Sequence, residues 1–425
     1  MRIGIDISTV LNHGKDIGAG RYIYNLIKNM LLINKEDTFI LTARYSTDDY
    51  LPVIDQLKAF SNFESSESEK QKTEEKKEKQ KKEEKEKAER DAKATEKLGD
   101  KSDKEGRLEF KLFKTSTKKL NFWNSIGFPS LEMLGFKADL LHCPDFLIPP
   151  TANKNIILTI HDLAFIRFPH FNFDWFVKKY TKEVRRNSAR AKKIIAVSHS
   201  TKKDIVEFFK TDPTKIDVIH EAAEENFRKL DEDKIDRNLL EKYKISKKFI
   251  LSVGTIEPRK NYVTLIRAFN ILKSASPDFN YQLVIVGRTG WMSEAAFSEY
   301  ENSPYKKDII FTGRIPDEEL VHIYNMAEVF VYPSIFEGFG LPVIEALQCG
   351  LPAAASKTSS IPEIIDAKEF LFNPADQEDM AKKIKKILTD KDLKKELSEK
   401  ALKNASKFNW RQTAEKTLNI YKKLL

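Results

Sequence analysis

The 425-residue chain holds only two cysteines, Cys143 and Cys349, too few for a disulfide framework. Both lie in apolar, strand- or helix-like stretches, so they read as buried thiols of a reducing cytoplasm. No apolar run approaches the roughly 20 residues of a membrane-spanning helix. The opening "MRIGIDISTVLNHG" has no long apolar stretch behind a basic cluster, so neither a span nor a signal peptide is expected. The chain also lacks a P-loop, a paired CxxC and an HExxH. "DED" at 231–233 has the Asp-x-Asp form, but it lies in a polar stretch with no strand before it. It reads as solvated, and no metal site is expected.

Charge is abundant instead, with 73 Lys+Arg against 64 Asp+Glu and a formal net charge of +9. Between Glu64 and Glu105 there are 14 basic and 15 acidic residues, which leaves a net of +10 on the remainder. The basic excess therefore belongs to the globular part. Such a surface could meet nucleic acid, anionic lipid or phosphate-bearing small molecules, with ordinary solubilising charge as the plain alternative. Residues 65–105, beginning "SSESEKQKTEEKKEK", contain almost no apolar side chain to offset the entropy of ordering. They read as a surface insertion, either disordered or a lone charged helix with i,i+4 Glu–Lys pairs.

The rest alternates short apolar strands with amphipathic helices. Strands are expected at "RIGIDI", "FILTAR", "LEFKLF", "DLLHC", "IILTIHD" and "KIIAVS". A second series follows at "KFILSVGT", "YQLVIVG", "DIIFTG", "EVFVYPS", "LPAAAS" and "FLFNP". In the first half, helices are expected at about 20–34, 120–134, 172–191 and 199–209. Repeated βα units point to an α/β fold with two parallel sheets, each covered on both faces. The expected division is 1–222, a polar join at 223–248, a second domain at 249–408 and a last helix at 409–425. Open α/β sheets bind ligands at the carboxyl ends of their strands, so two facing sheets would place a cleft between the domains.

Three stretches could carry chemistry there. In "VGTIEPRKNYVTLIRAF" a buried strand ends at Gly254, Pro258 breaks the chain and Asn261 suits a helix cap. Arg259 and Lys260 then stand beside a helix start, as a diphosphate site would need or as a routine basic loop would show. In "EGFGLPVIEALQCG", Gly338 and Gly340 allow close approach of the backbone, and Pro342 suits a helix start. The N–H groups of Phe339, Gly340 and Leu341 would point into the cleft. Glu337 falls on the loop and Glu345 about a turn into the helix, where sugar hydroxyls could donate to them. A first-turn carboxylate favoured by the helix dipole is the alternative for Glu345. In "DIGAGRYIYNLI", Gly18 and Gly20 offer a tight turn with free N–H groups at a helix start. His161, closing "ILTIHDLA", would face the cleft, whereas His142 and His220 read as structural.

Together, "GAGRY", "VGTIEPRKN" and "FEGFGLPVIEALQCG" resemble glycosyltransferase family 4, retaining transferases of the GT-B fold. "HDLAF", "AVSHSTKKDI" and "SSIPEI" are similar to further family blocks, and the wording is nearest the mannosyltransferase-like branch of bacterial polysaccharide assembly. The resemblance implies two Rossmann-like domains facing across a cleft, with the final helix crossing back to the first. It implies that Arg259 and Lys260 bind the diphosphate of a nucleotide-sugar such as GDP-mannose, with no metal or other cofactor. Glu345 would hold the ribose, and Glu337 with Gly338, Phe339, Gly340 and Leu341 would lie by the donor sugar. Gly18, Gly20 and Gly254 would border the donor, and His161 would approach the transferred sugar.

The implied function is transfer of a hexose, best guessed as mannose, to a glycan or lipid-linked acceptor in cell-surface polysaccharide synthesis. A sugar-nucleotide epimerase and a non-catalytic scaffold are the alternatives, and nucleic acid is not an expected partner. The implied place is the cytoplasm, with peripheral attachment at the inner membrane face left open. One stretch departs from the family pattern: after "IDVIH" the chain reads "EAAEENF", not a glycine-containing turn.

Overall fold

The computed structural model describes residues 1–15, 18–61, 107–276 and 278–425, so the expectation for 65–105 lies outside the described residues. The N-terminal sheet has seven strands: β1 (Arg2–Asp6), β2 (Thr38–Tyr45), β3 (Leu108–Lys114), β4 (Leu140–Cys143), β5 (Ile156–Ile160), β6 (Lys193–Ala196) and β7 (Ile216–Val218). Their order is β3-β2-β1-β4-β5-β6-β7. The second sheet holds β8 (Lys248–Val253), β9 (Tyr281–Val286), β10 (Ile309–Gly313), β11 (Val329–Tyr332), β12 (Ala353–Ser356) and β13 (Leu371–Phe372). It is ordered β10-β9-β8-β11-β12-β13.

Pairing is parallel in both sheets. Strands buried on both faces need continuous apolar runs, which is why "IILTI" and "VFVY" are buried throughout.

The chain departs from the sequence reading at several places. The helix expected over 120–134 is Thr117–Ile126, and it stops at Gly127, which takes the left-handed conformation that favours glycine. β7 has only three residues and gives no periodic signal. Helix Lys391–Ala405 was not anticipated; it starts on Asp390, whose side chain accepts from the Leu393 N–H. Asn261 stands before helix Tyr262–Ala275 in the left-handed region, but its side chain caps no helix N–H. Its Nδ2 instead donates to the carbonyls of Pro333 and Pro374 and ties two loops together.

The last helix, Trp410–Leu424, crosses back onto the N-terminal domain. Its Tyr421 hydroxyl lies 2.6 Å from Nδ1 of the wholly buried His142, whose Nε2 lies 2.8 Å from Thr159. Trp410 meets the ring of Tyr22, and Thr413 donates to the His220 carbonyl. His142 is thus structural, as its strand setting suggested. Both cysteines are free and buried. Among the described residues, no helix is long and apolar enough to cross a membrane.

Candidate active site

Both sheets direct their carboxyl ends into one cleft. Val253, Val286 and Tyr332 end strands of the second sheet, and His161 follows β5 of the first. All four line a cavity of about 520 Å³. The cavity also holds Arg259, Lys260, Glu337, Glu345, Gly18, Gly254, Gly338, Phe339, Gly340 and Leu341. Gly20 is the exception among the candidate residues: it is buried within helix Gly18–Ile33 and does not line the cavity. Both glycines are helical, not members of a separate turn.

One end of the cavity is built on Glu337. Arg259 Nη1 lies 2.7 Å from one carboxylate oxygen, and Lys260 Nζ lies 2.7 Å from the other. Tyr332 donates to the same oxygen as Lys260 at 2.9 Å. Burial alone would raise the Glu337 carboxyl, but Arg259 and Lys260 outweigh it and hold its pKa at about 2. Burial lowers the Lys260 ammonium pKa despite the pull of Glu337. Arg259 Nη2 is held by Glu257 at 2.7 Å, and Nη1 also donates to the Phe336 carbonyl at 2.8 Å. The diphosphate candidates are therefore a pre-positioned pair, not a mobile basic loop.

The loop after Glu337 is held close to the other domain. A β-carbon on Gly338 would run into the carbonyl oxygen of His161, so glycine is required at this approach. Gly340 has φ 119° and introduces helix Leu341–Gln348, in which Pro342 is the second residue. Among the described residues, the N–H groups of Phe339, Gly340 and Leu341 donate to no acceptor, although all three residues line the cavity. Free amides at a helix start favour an anion or a cluster of hydroxyls.

Glu345 sits at the other end in a different company. Arg21, from the N-terminal domain, reaches across the cleft and lies 2.7 Å from Glu345 and 2.7 Å from Asp317. Glu224 stands 3.7 Å from the same guanidinium. Tyr324 donates to the second Glu345 oxygen at 2.9 Å. Burial raises the Glu345 carboxyl; Arg21 pulls it down only in part, and Asp317 pushes it up again. The residue expected to face ribose hydroxyls is thus occupied here by an arginine that ties the two domains together.

His161 is held at both ring nitrogens, by Glu221 at 2.9 Å and by the Pro144 carbonyl at 3.0 Å. Both partners accept, so both nitrogens donate and the ring is an imidazolium. Burial opposes the charge, but Glu221 prevails and raises the pKa to about 9. His161 therefore offers the cavity a fixed positive charge, not a free base.

The sequence reading missed Arg21, Glu221, Glu224 and Asp317. Two of them fall in "EAAEENF", so the departure from the family pattern supplies two carboxylates to the interdomain edge. Glu363 was also missed. Its carboxylate accepts from the N–H groups of His199 and Ser200 at 2.9 Å and lies 3.1 Å from His220 Nε2. His199, His220 and Glu363 are close enough to share a cation, but the carboxylate already caps helix His199–Phe209 from the opposite domain. The "DED" stretch is a surface turn in which Asp231 pairs with Lys234.

Comparison with known proteins agrees with this architecture. The family model described as Glycosyltransferase Family 4 matches residues 98–225, and that described as Glycosyl transferases group 1 matches 234–404. The chain thus carries a Glycosyltransferase Family 4 domain followed by a Glycosyl transferases group 1 domain. It is 28% identical over 296 residues to the O-antigen chain mannosyltransferase B of Escherichia coli, covering 68% of this chain and 75% of that protein. It is 34% identical over 240 residues to a serotype-specific mannosyltransferase WbdA of the same species, covering 56% of this chain. Against that longer relative, the chain spans only 29% of the length.

The fold superposes on a glycosyltransferase from Rickettsia africae with a TM-score of 0.67 at 18% identity, covering 100% of this chain and 98% of the other. It superposes on Anabaena HepE, solved with UDP-glucose, with a TM-score of 0.69 at 14% identity and full coverage of both chains. At such identities the likeness is one of fold, and that fold is GT-B.

Proposed function

We propose that this chain transfers a hexose, with retention of configuration, from a nucleoside-diphosphate sugar to a hydroxyl of a glycan or lipid-linked acceptor in polysaccharide synthesis. The observation that carries this reading is the convergence of Arg259, Lys260 and the free N–H groups of Phe339, Gly340 and Leu341 on one interdomain cavity. Mannose is the favoured sugar, because two matching relatives bear the name mannosyltransferase. The names of those relatives also favour O-antigen-type polysaccharide as the product class.

Chemistry follows from where charge develops. The bond between the sugar's anomeric carbon and the β-phosphate oxygen breaks, and both electrons go to that oxygen. Arg259, Lys260 and the helix-start N–H groups stabilise the growing negative charge in a water-poor setting. The sugar becomes oxocarbenium-like, and the acceptor hydroxyl bonds to the same face of the anomeric carbon. Its proton passes to the departing phosphate oxygen. Glu337 orients the two cations and meets the sugar hydroxyls; with its carboxyl held at about 2, it stays ionised through the neutral range. Occupation of the Glu345 end by a ribose would require Arg21 to give up part of its hold, so donor binding is coupled to domain opening.

The test is a thermal-shift screen of GDP-mannose, UDP-glucose and UDP-GlcNAc, followed by product analysis with and without a glycan acceptor. A new glycosidic bond whose anomeric configuration matches the donor is expected. Conversion of a sugar nucleotide without any acceptor would point to an epimerase, and unchanged transfer by Arg259→Ala would sink the leaving-group account.

A further inference from the structure

Outside the donor cavity, the two domains meet again around Glu363, which lies in the short helix Ile361–Ile364 of the C-terminal domain. Its Oε1 accepts from the Ser200 N–H and its Oε2 from the His199 N–H, each at 2.9 Å. Both donors open helix His199–Phe209 of the N-terminal domain. Oε2 also lies 3.1 Å from His220 Nε2. The His220 ring stacks on Phe339 and meets Phe408 edge-on, with 5.6 Å between centroids in each case, so packing sets its direction. The ring of His199 stands edge-on to that of His220 at 5.9 Å and is exposed. One ligand atom each from His199, His220 and Glu363 gather within 4.8 Å of one another.

Two imidazoles and one carboxylate form a donor set that suits Zn(II), with water completing a tetrahedron. Zinc bonds of about 2.0–2.1 Å place neighbouring ligand atoms of such a tetrahedron about 3.3 Å apart. The His220–Glu363 pair, at 3.1 Å, already has the length of one edge. A metal there takes the place of the hydrogen between Nε2 and Oε2. The remaining separations lie within 4.8 Å, and the exposed His199 ring can turn inward to shorten them. Helix capping does not use up the carboxylate: each oxygen offers two lone pairs, and Oε1 serves the Ser200 N–H. The positive end of helix His199–Phe209 opposes a cation, which the Glu363 charge offsets, so the site suits a reversibly bound ion. A capped helix accounts for Glu363 alone. It does not account for two imidazoles with ring nitrogens in reach of its carboxylate.

We propose that His199, His220 and Glu363 form a site for a divalent transition ion, Zn(II) by its donor set, and that the bound ion clamps the two domains together. Glu363 leaves His199 and Ser200 only when the domains part, and an ion bonded to all three side chains holds it in place. The clamp lies directly behind the donor loop. Ser360, just before the Glu363 helix, donates to the carbonyls of Glu337 and Phe339 at 3.0 and 2.6 Å, and Phe339 packs on His220. Neither the ion nor the clamp depends on the transferase reading.

The full-length chain, stripped with a chelator and without nucleotide, is titrated calorimetrically with zinc chloride and, in parallel, with Co(II) followed by visible absorption. A single ion is expected, with the strong Co(II) band of a low coordination number. His199→Ala and Glu363→Gln should each weaken Zn(II) binding by about tenfold or more, since loss of even an outer-shell partner has that effect. His199 is exposed, and glutamine at 363 keeps an oxygen for the helix N–H groups, so both variants keep the fold. Hydrogen exchange at the His199 and Ser200 N–H groups, which Glu363 covers, reads the clamp. An ion that only the joined domains can bind suppresses opening, so Zn(II) at about a hundred times its dissociation constant should slow this exchange about a hundredfold. The same concentration should slow it far less in His199→Ala. Zn(II) binding that neither variant weakens, or Mg(II) binding as tightly as Zn(II), overturns the site. Binding that leaves exchange at His199 and Ser200 unchanged overturns the clamp.

Discussion

Glu337 and Glu345 stand eight positions apart, on a loop and the helix it introduces, and both are buried. Burial pushes both carboxyls up, yet one ends near 2 and the other above its ordinary value. The difference lies in how cations are shared. Glu337 has Arg259 and Lys260 each at 2.7 Å, whereas Glu345 shares Arg21 with Asp317 and with the more distant Glu224. One carboxylate has two cations of its own; the other divides one arginine with two further carboxylates. Under the proposed function, the charge-matched end faces the reacting bond, and the end with the shared cation is the one a ribose would contest.

Removing Arg21 would break this comparison most severely. Arg21→Ala leaves Glu345 and Asp317 facing each other without their buried cation, and stability should fall by about 3–5 kcal/mol. Adding Glu345→Gln should restore part of the loss, which denaturant titration of the single and double variants would show. Arg259→Ala attacks the other end. Transfer should drop by about 10²–10³-fold, as when one preorganised donor is lost from a developing oxyanion. Single-turnover rates with excess donor would check this, and the same variant should let the Glu337 carboxyl rise toward its ordinary range.

A third ion pair extends the comparison to histidine. His161 has its folded pKa raised from 6.5 to about 9, so its contribution to stability is complete below pH 6.5 and is lost as pH rises through 9. The loss is roughly 3 kcal/mol at full titration. Stability measured across pH 6 to 10 should show the slope, and His161→Gln should flatten it. The smallest effect is expected at Glu363, which caps a helix of the opposite domain. Glu363→Ala should cost about 1 kcal/mol and leave the Glu337 and Glu345 ends unchanged, as paired stability and transfer measurements would report.

Much of this was legible in the residues, and the reason is local. Strands of a parallel sheet are buried on both faces and announce themselves as apolar runs, so twelve of the thirteen strands among the described residues were anticipated and only the three-residue β7 was not. Gly338 and Gly340 were legible because a tight approach and a positive φ leave few alternatives to glycine. The pairing of Arg21 with Glu345 was not, because it joins residues 324 positions apart across two domains. Nothing in "GAGRY" distinguishes an arginine that spans a cleft from one that faces water. Glu221 and Glu224 were hidden for the same reason: their roles come from His161 and Arg21, not from their own neighbours.

The contact between Tyr421 and His142 ties the order of synthesis to the order of folding. His142 belongs to a central strand of the first domain, but the hydroxyl that satisfies its Nδ1 lies in the helix that ends at Leu424. Domains made early usually settle early. Here the first domain keeps one unsatisfied nitrogen on a buried imidazole, and an uncovered apolar face along helix Gly18–Ile33, until helix Trp410–Leu424 is delivered. A chain interrupted before helix Trp410–Leu424 would therefore expose a sticky surface on the first domain, which that helix otherwise seals.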